Sequence, residues 1–99
     1  MRNVVVSPIA RWFNSPVSTI LLNSRSGKYY WLNHTGTAIW LALVGNATLS
    51  EVKTVLIEQY GLSEETASLD LKETIDLLLR RGLVELIENE GAPRARDDQ

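Results

Sequence analysis

The chain has 99 residues, 44% of them hydrophobic and 22% charged, with a formal charge of −2, which suits one ordinary globular domain and excludes both a disordered chain and two separate cores. It contains no cysteine, so disulfides, thiol nucleophiles and cysteine-ligated metals are excluded. Its apolar runs, such as Ala38 to Val44, fall well short of the roughly 18 residues that span a bilayer, and Met1 to Pro8 lacks the long apolar region of a signal peptide. A cytoplasmic location is the expectation.

In chain order, the first segments predict strands. Ile9-Ala10-Arg11-Trp12-Phe13 precedes the breaker cluster Asn14-Ser15-Pro16, and Ser18 to Leu22 forms a β-branched and leucine-rich run. Asn23-Ser24-Arg25-Ser26-Gly27 has hairpin-loop composition, and Lys28-Tyr29-Tyr30-Trp31-Leu32 follows as an aromatic, strongly β-prone strand. A three-stranded meander is the simplest arrangement.

From Asn33 the hydrophobic period becomes helical. Asn33 or Thr35 is available as N-cap, Ala38, Ile39, Trp40, Leu41 and Leu43 predict a mostly buried first helix, and Gly45-Asn46 ends it. Thr48-Leu49-Ser50-Glu51 has capping-box spacing and opens a second helix with Val52, Val55, Leu56 and Tyr60 at helical intervals and Gly61 at its C-terminus. The third helix starts from Ser63 as N-cap, places Glu64 and Glu65 at the positive dipole end and Arg80 and Arg81 at the other, and stops at Gly82. Leu71, Ile75 and Leu78 form its core stripe. Leu83 to Ile87 suits a short strand or a docked extension, while the tail from Glu88 to Gln99 has no apolar period and reads as a flexible end. The run Val4-Val5-Val6 has no assigned role.

Catalytic chemistry finds few residues to work with. His34 is the only histidine, and one histidine without cysteine cannot build a zinc site that usually takes three protein ligands. It reads as a surface or helix-start residue. No phosphate-binding glycine loop, zinc-protease motif or nucleophile elbow occurs, and the acidic residues are scattered over solvated faces. No enzyme activity, cofactor or metal is expected.

Strands followed by three helices also suggest a winged helix, so DNA binding is judged on charge. Between Ser63 and Arg81 the third helix carries Glu64, Glu65, Asp70, Glu73 and Asp76 against Lys72, Arg80 and Arg81. Such a surface forfeits the counterion release that dominates affinity for DNA. A gel mobility-shift assay at moderate salt is expected to show no specific complex; a tight, salt-sensitive one would put DNA binding first.

In a meander the segment from Lys28 to Leu32 is a sheet edge, poorly guarded by charge or proline. An extended peptide added there gains main-chain hydrogen bonds and side-chain pockets. With period-2 alternation only one face is core, so if Tyr30 and Leu32 point inward, Tyr29 and Trp31 need another role. The same edge also suits a structural module that pairs with itself.

The ordered set Tyr30-Trp31-Leu32-Asn33-His34-Thr35-Gly36-Thr37-Ala38-Ile39-Trp40, then Gly45, Tyr60-Gly61, Asp70 ahead of Leu78, and Arg81-Gly82-Leu83 resembles the PqqD-like family from residue 9 to residue 87. Within it, the strand-Leu-Asn-x-Thr-Gly-x-x-Ile-Trp wording is most similar to the stand-alone recognition proteins of lasso-peptide gene clusters; other members serve quinone-cofactor and radical-enzyme pathways. The resemblance implies an α+β, winged-helix-like fold, a three-stranded antiparallel sheet followed by three helices, known as a RiPP recognition element (RiPP: ribosomally made, post-translationally modified peptide). It implies that residues 1–87 form this domain and 88–99 a tail. It also implies that the leader of a precursor peptide binds as an added strand, in a groove bounded by the third helix, and is delivered to a protease and a cyclase, with neither nucleic acid nor membrane as partner. By position, the peptide-binding residues would be Lys28, Tyr29, Tyr30, Trp31 and Leu32 on the strand and Asp70, Glu73, Thr74 and Leu77 on the helix. The helical stripe Asp70, Thr74, Leu77, Arg81 lies beside the core stripe rather than on it.

Overall fold

Alternation along Thr19-Ile20-Leu21-Leu22-Asn23 builds the centre of the sheet. Thr19, Leu21 and Asn23 are buried and Ile20 and Leu22 half-buried, so one pleat face meets the helices and the other faces outward. In the computed structural model, which describes residues 2–15 and 18–88, this strand is β3 (Thr19–Asn23), flanked by β2 (Ala10–Asn14) and β4 (Lys28–Leu32), all antiparallel in the order β2-β3-β4. The meander and its turn therefore stand where the sequence puts them.

Helices α1 (His34–Val44), α2 (Leu49–Tyr60) and α3 (Glu64–Arg80) follow, each with a side-chain cap for its orphan amides. Asn33 Oδ1 accepts from the Gly36 amide at 2.8 Å. Thr48 and Glu51 form the reciprocal capping box, at 3.1 and 2.8 Å, and the Ser63 hydroxyl accepts from the Thr66 amide at 3.1 Å. Gly61 closes α2 in the left-handed region at φ 69°. At the end of α1 it is Asn46, not Gly45, that takes positive φ, at 65°, as asparagine tolerates better than most side chains.

The helices bury Ile39, Trp40 and Leu43, Val52 and Leu56, and Ala67, Leu71, Ile75 and Leu78 against Leu21 and Leu32 of the sheet. Trp40 is fully buried and meets the Trp12 ring edge-on at 5.5 Å between centroids. Each fully buried leucine or isoleucine stabilises the fold by about 1.5–3 kcal/mol relative to exposure. Leu41 departs from the expected first-helix core: it is 40% exposed, because it falls on the helix side turned away from the sheet.

The valine run with no assigned role forms a strand. β1 (Arg2–Val6) pairs antiparallel with β5 (Val84–Glu88) in a separate ribbon, from Arg2 opposite Glu88 to Val6 opposite Val84. The ribbon buries Val4 and Val84 and continues through the Ser7 amide, which donates to the Leu83 carbonyl at 3.0 Å. The segment after Gly82 is thus a strand, and Glu88, expected in the tail, is its last residue; residues 89–99 lie outside those described. No helix among the described residues is long and apolar enough to cross a membrane.

Candidate functional site

Two hydrogen bonds at opposite ends of the β2–β3 hairpin fix which way each backbone group points. The Ser24 amide donates to the Ile9 carbonyl at 3.1 Å and the Ser15 amide to the Ser18 carbonyl at 2.8 Å, so residues 18, 20, 22 and 24 turn their main-chain groups toward β2. In an antiparallel ladder the residues between them turn the other way. Thr19, Leu21 and Asn23 therefore bond to their β4 partners Leu32, Tyr30 and Lys28. What remains on β4 is Tyr29 and Trp31, whose N–H and C=O groups point out from the edge, where no described strand pairs with them.

The side chains of the same strand divide by pleat. Leu32 is buried and Tyr30 half-buried toward the helices, whereas Tyr29 is 66% and Trp31 71% exposed on the outer face. Lys28 is exposed at the start of the strand. Across the outer face Trp31 lies opposite Ile20, Ile20 opposite Phe13, and Tyr29 opposite Leu22. Phe13 is 74% exposed, and a shallow hollow of about 210 Å³ runs among Arg11, Trp12, Phe13, Ile20, Leu22 and Tyr29. Exposed aromatic side chains grouped on one face are a feature that interaction surfaces share.

Helix α3 reaches the edge strand by its C-terminal end. The Arg81 guanidinium lies over the Tyr30 ring, 4.8 Å from its centroid, within cation–π range. From Arg81 the i, i+4 and i, i+3 steps lead back to Leu77, Thr74 and Asp70, all three half-buried, with Glu73 exposed beside them. Leu77 is half-buried without joining the apolar residues packed on the core, whereas Leu79 does join them. The predicted helix residues thus share one flank of α3, and that flank ends on Tyr30. His34, as expected, is exposed at the start of α1, edge-on to Tyr60 at 5.1 Å.

A larger hollow, about 480 Å³, opens on the opposite flank of α3, among Leu49, Leu71, Ile75, Leu79 and Leu86 with Lys53 and Lys72 at hand. Of the residues expected to bind peptide it contains none. It is the larger hollow, but the outward main-chain donors and acceptors lie at β4.

Two site residues escaped the sequence reading. Phe13, read only as part of a strand, joins the outer aromatic face. Asn23, read as a turn residue, ties the β3–β4 turn to α3: its Nδ2 donates to the Arg81 carbonyl at 2.8 Å, and its Oδ1 accepts from the Arg25 and Ser26 amides at 2.9 and 3.0 Å. Asparagine at a strand end signals the local turn, but not a bond 58 residues away.

Comparison with known proteins accords with this geometry. No curated protein matches the sequence. Among solved structures, TbiB1 in complex with the TbiA(beta) leader peptide superimposes with a TM-score of 0.78 at 22% identity, over 82% of this chain and 94% of that one. Lasso peptide synthetase B1 complexed with the leader peptide gives 0.75 at 23% identity, over 84% and 98%. At these identities the likeness is one of fold. Residues 18–84 match the family described as coenzyme PQQ synthesis protein D, and with well over half its length inside that match, the chain belongs to the PqqD family.

Proposed function

We propose that this protein binds the leader segment of a ribosomally made precursor peptide as a strand added to β4 and presents it to the enzymes that modify it, in lasso-peptide biosynthesis. The observation that carries this reading is the edge at Tyr29 and Trp31, whose outward N–H and C=O groups no described strand pairs with, beside Tyr30, over whose ring the Arg81 end of the α3 flank lies. Strand addition uses those groups for affinity and the flanking side chains for selection. Two solved structures of the same fold hold leader peptides, which supports both the ligand class and the lasso pathway. Residues 28–32 with Asp70, Glu73, Thr74 and Leu77 are the proposed contacts.

Presentation needs a second surface. A leader lying along the edge leaves Phe13, Tyr29 and Trp31 uncovered on the outer face, so that face is the one to dock the leader-cleaving protease, with the cyclase acting after it. On this reading the chain serves binding and not chemistry, and among the described residues no nucleophile, base and orienting group converge.

Calorimetry with the leader of its cognate precursor is expected to give one-to-one binding, and incubation of that full precursor with the pure protein to give neither cleavage nor cyclisation. Absence of binding would overturn the leader reading, and turnover would overturn the non-catalytic one. Sedimentation separates the self-pairing module, which dimerises without any peptide.

A further inference from the structure

The end of α3 is held against the β3–β4 turn by a bond from the Asn23 side chain to the Arg81 carbonyl, which has no role in binding an edge strand as such. Asn23 is 8% exposed, and its amide joins the Arg81 carbonyl to the Arg25 and Ser26 amides. Gly82 permits this approach: it sits at φ 73°, and a Cβ there would come within 3.2 Å of Asn23 Nδ2. The consequence is a fixed place for Arg81, whose guanidinium lies over the Tyr30 ring while pairing with no carboxylate among the described residues. A guanidinium held by a ring face keeps its planar fork of N–H donors for another acceptor. Lys28 adds a second cation at the same end of β4.

The other end of the same flank is negative. Asp70 is half-buried and has no cationic partner among the described residues, and Glu73 lies one turn nearer Arg81. Eleven residues of helix separate Asp70 from Arg81, about 16 Å at 1.5 Å per residue, which an extended peptide covers in roughly five residues.

Resting on the leader-binding reading above, we infer that Arg81 is a specificity-determining residue of the groove, selecting a leader with a carboxylate side chain beside Tyr30 of β4, and that Asp70 selects a basic side chain about five residues along the same peptide. The groove therefore reads charge order as well as apolar pattern, and the two poles fix the direction in which the leader lies. Reversing the peptide would set like charges against each other at both ends.

The test is a peptide array built on the leader of the cognate precursor, with each position replaced in turn by Glu, Gln and Lys. The parent protein is expected to show one position where Glu exceeds Lys by roughly tenfold, as a charge-assisted, partly desolvated pair provides. In Arg81→Glu that preference reverses and in Arg81→Gln it vanishes. Asp70→Lys reverses the opposite preference at a second position about five residues away. The latch to Asn23 uses the Arg81 carbonyl, so these side-chain changes leave it in place, and circular dichroism checks the fold. Leu77→Ala serves as the control: it removes apolar contact without adding a charge, so it weakens all peptides alike and leaves the charge preference where it was. An unchanged preference in both Arg81 variants, or no charge preference at any position, would overturn the inference while leaving leader binding intact. An array silent even for the parent protein would overturn leader binding itself.

Discussion

Leu77→Glu is expected to weaken leader binding about a hundredfold while the protein remains folded. Leu77 is half-buried on the α3 flank that ends at Tyr30, yet it is not among the apolar side chains packed on the core. A glutamate there leaves Leu71, Ile75 and Leu78 undisturbed. Once a peptide covers the groove, the new carboxylate loses water and competes with the leader for Arg81 four residues on, at a cost on the order of a few kcal/mol. The neighbouring Asp70 and Glu73 supply repulsion, not relief. Calorimetry with the leader reads the loss and circular dichroism checks the fold; a folded variant that binds as well as the parent does would remove the groove as the site. Tyr29→Pro probes the other wall. Its N–H points out from the β4 edge, so proline there deletes a donor offered to the leader without breaking a β3–β4 hydrogen bond.

The parts of this fold legible in sequence are those governed by local rules. Each helix has a capping side chain at its start, and Gly61 stops α2 with positive φ. Period-2 alternation divided Lys28 to Leu32 into two faces without saying which was core, and the structure turns Tyr30 and Leu32 inward and leaves Tyr29 and Trp31 exposed. The β1–β5 ribbon was not legible. Val4 and Val84 are neighbours only because the whole domain between them has folded, and no turn residue joins strands so far apart in sequence. Leu41 misled for a related reason: an apolar residue in a largely apolar helix gives no sign of which side meets the sheet.

The site divides in the same manner. The edge strand and the helix stripe follow from periodicity, but that the stripe ends on Tyr30 depends on Asn23, Arg81 and Gly82 meeting in space. The sequence reading placed Arg81 at the favourable end of the α3 dipole and at the end of the Asp70, Thr74, Leu77 stripe. The structure gives the same side chain an aromatic partner and a fixed position, which is what turns a helix-end charge into a reader of peptide charge.

That dependence yields the other large effect, in stability. Asn23→Ala removes three hydrogen bonds at once: the one to the Arg81 carbonyl, which spans the domain, and the two that close the β3–β4 turn. The turn residues Arg25 and Ser26 are exposed, so water can replace part of what their amides lose. The Arg81 carbonyl is next to a buried position and recovers less. Together the loss is about 2–3 kcal/mol, which for a domain of this size lowers Tm by roughly 10 °C or more. Asn23→Asp separates the two contributions. It keeps an acceptor for both turn amides but sets a carboxylate against the Arg81 carbonyl, so it should retain the turn and still lose the link to α3. With that link gone, Arg81 is no longer held over Tyr30. Both variants, measured below their melting temperatures, should therefore lose the charge preference of the peptide array while keeping the apolar grip of Leu77. Thermal unfolding followed by circular dichroism decides the first part: a Tm for Asn23→Ala within a degree or two of the parent would show that the latch does not hold α3 against the sheet.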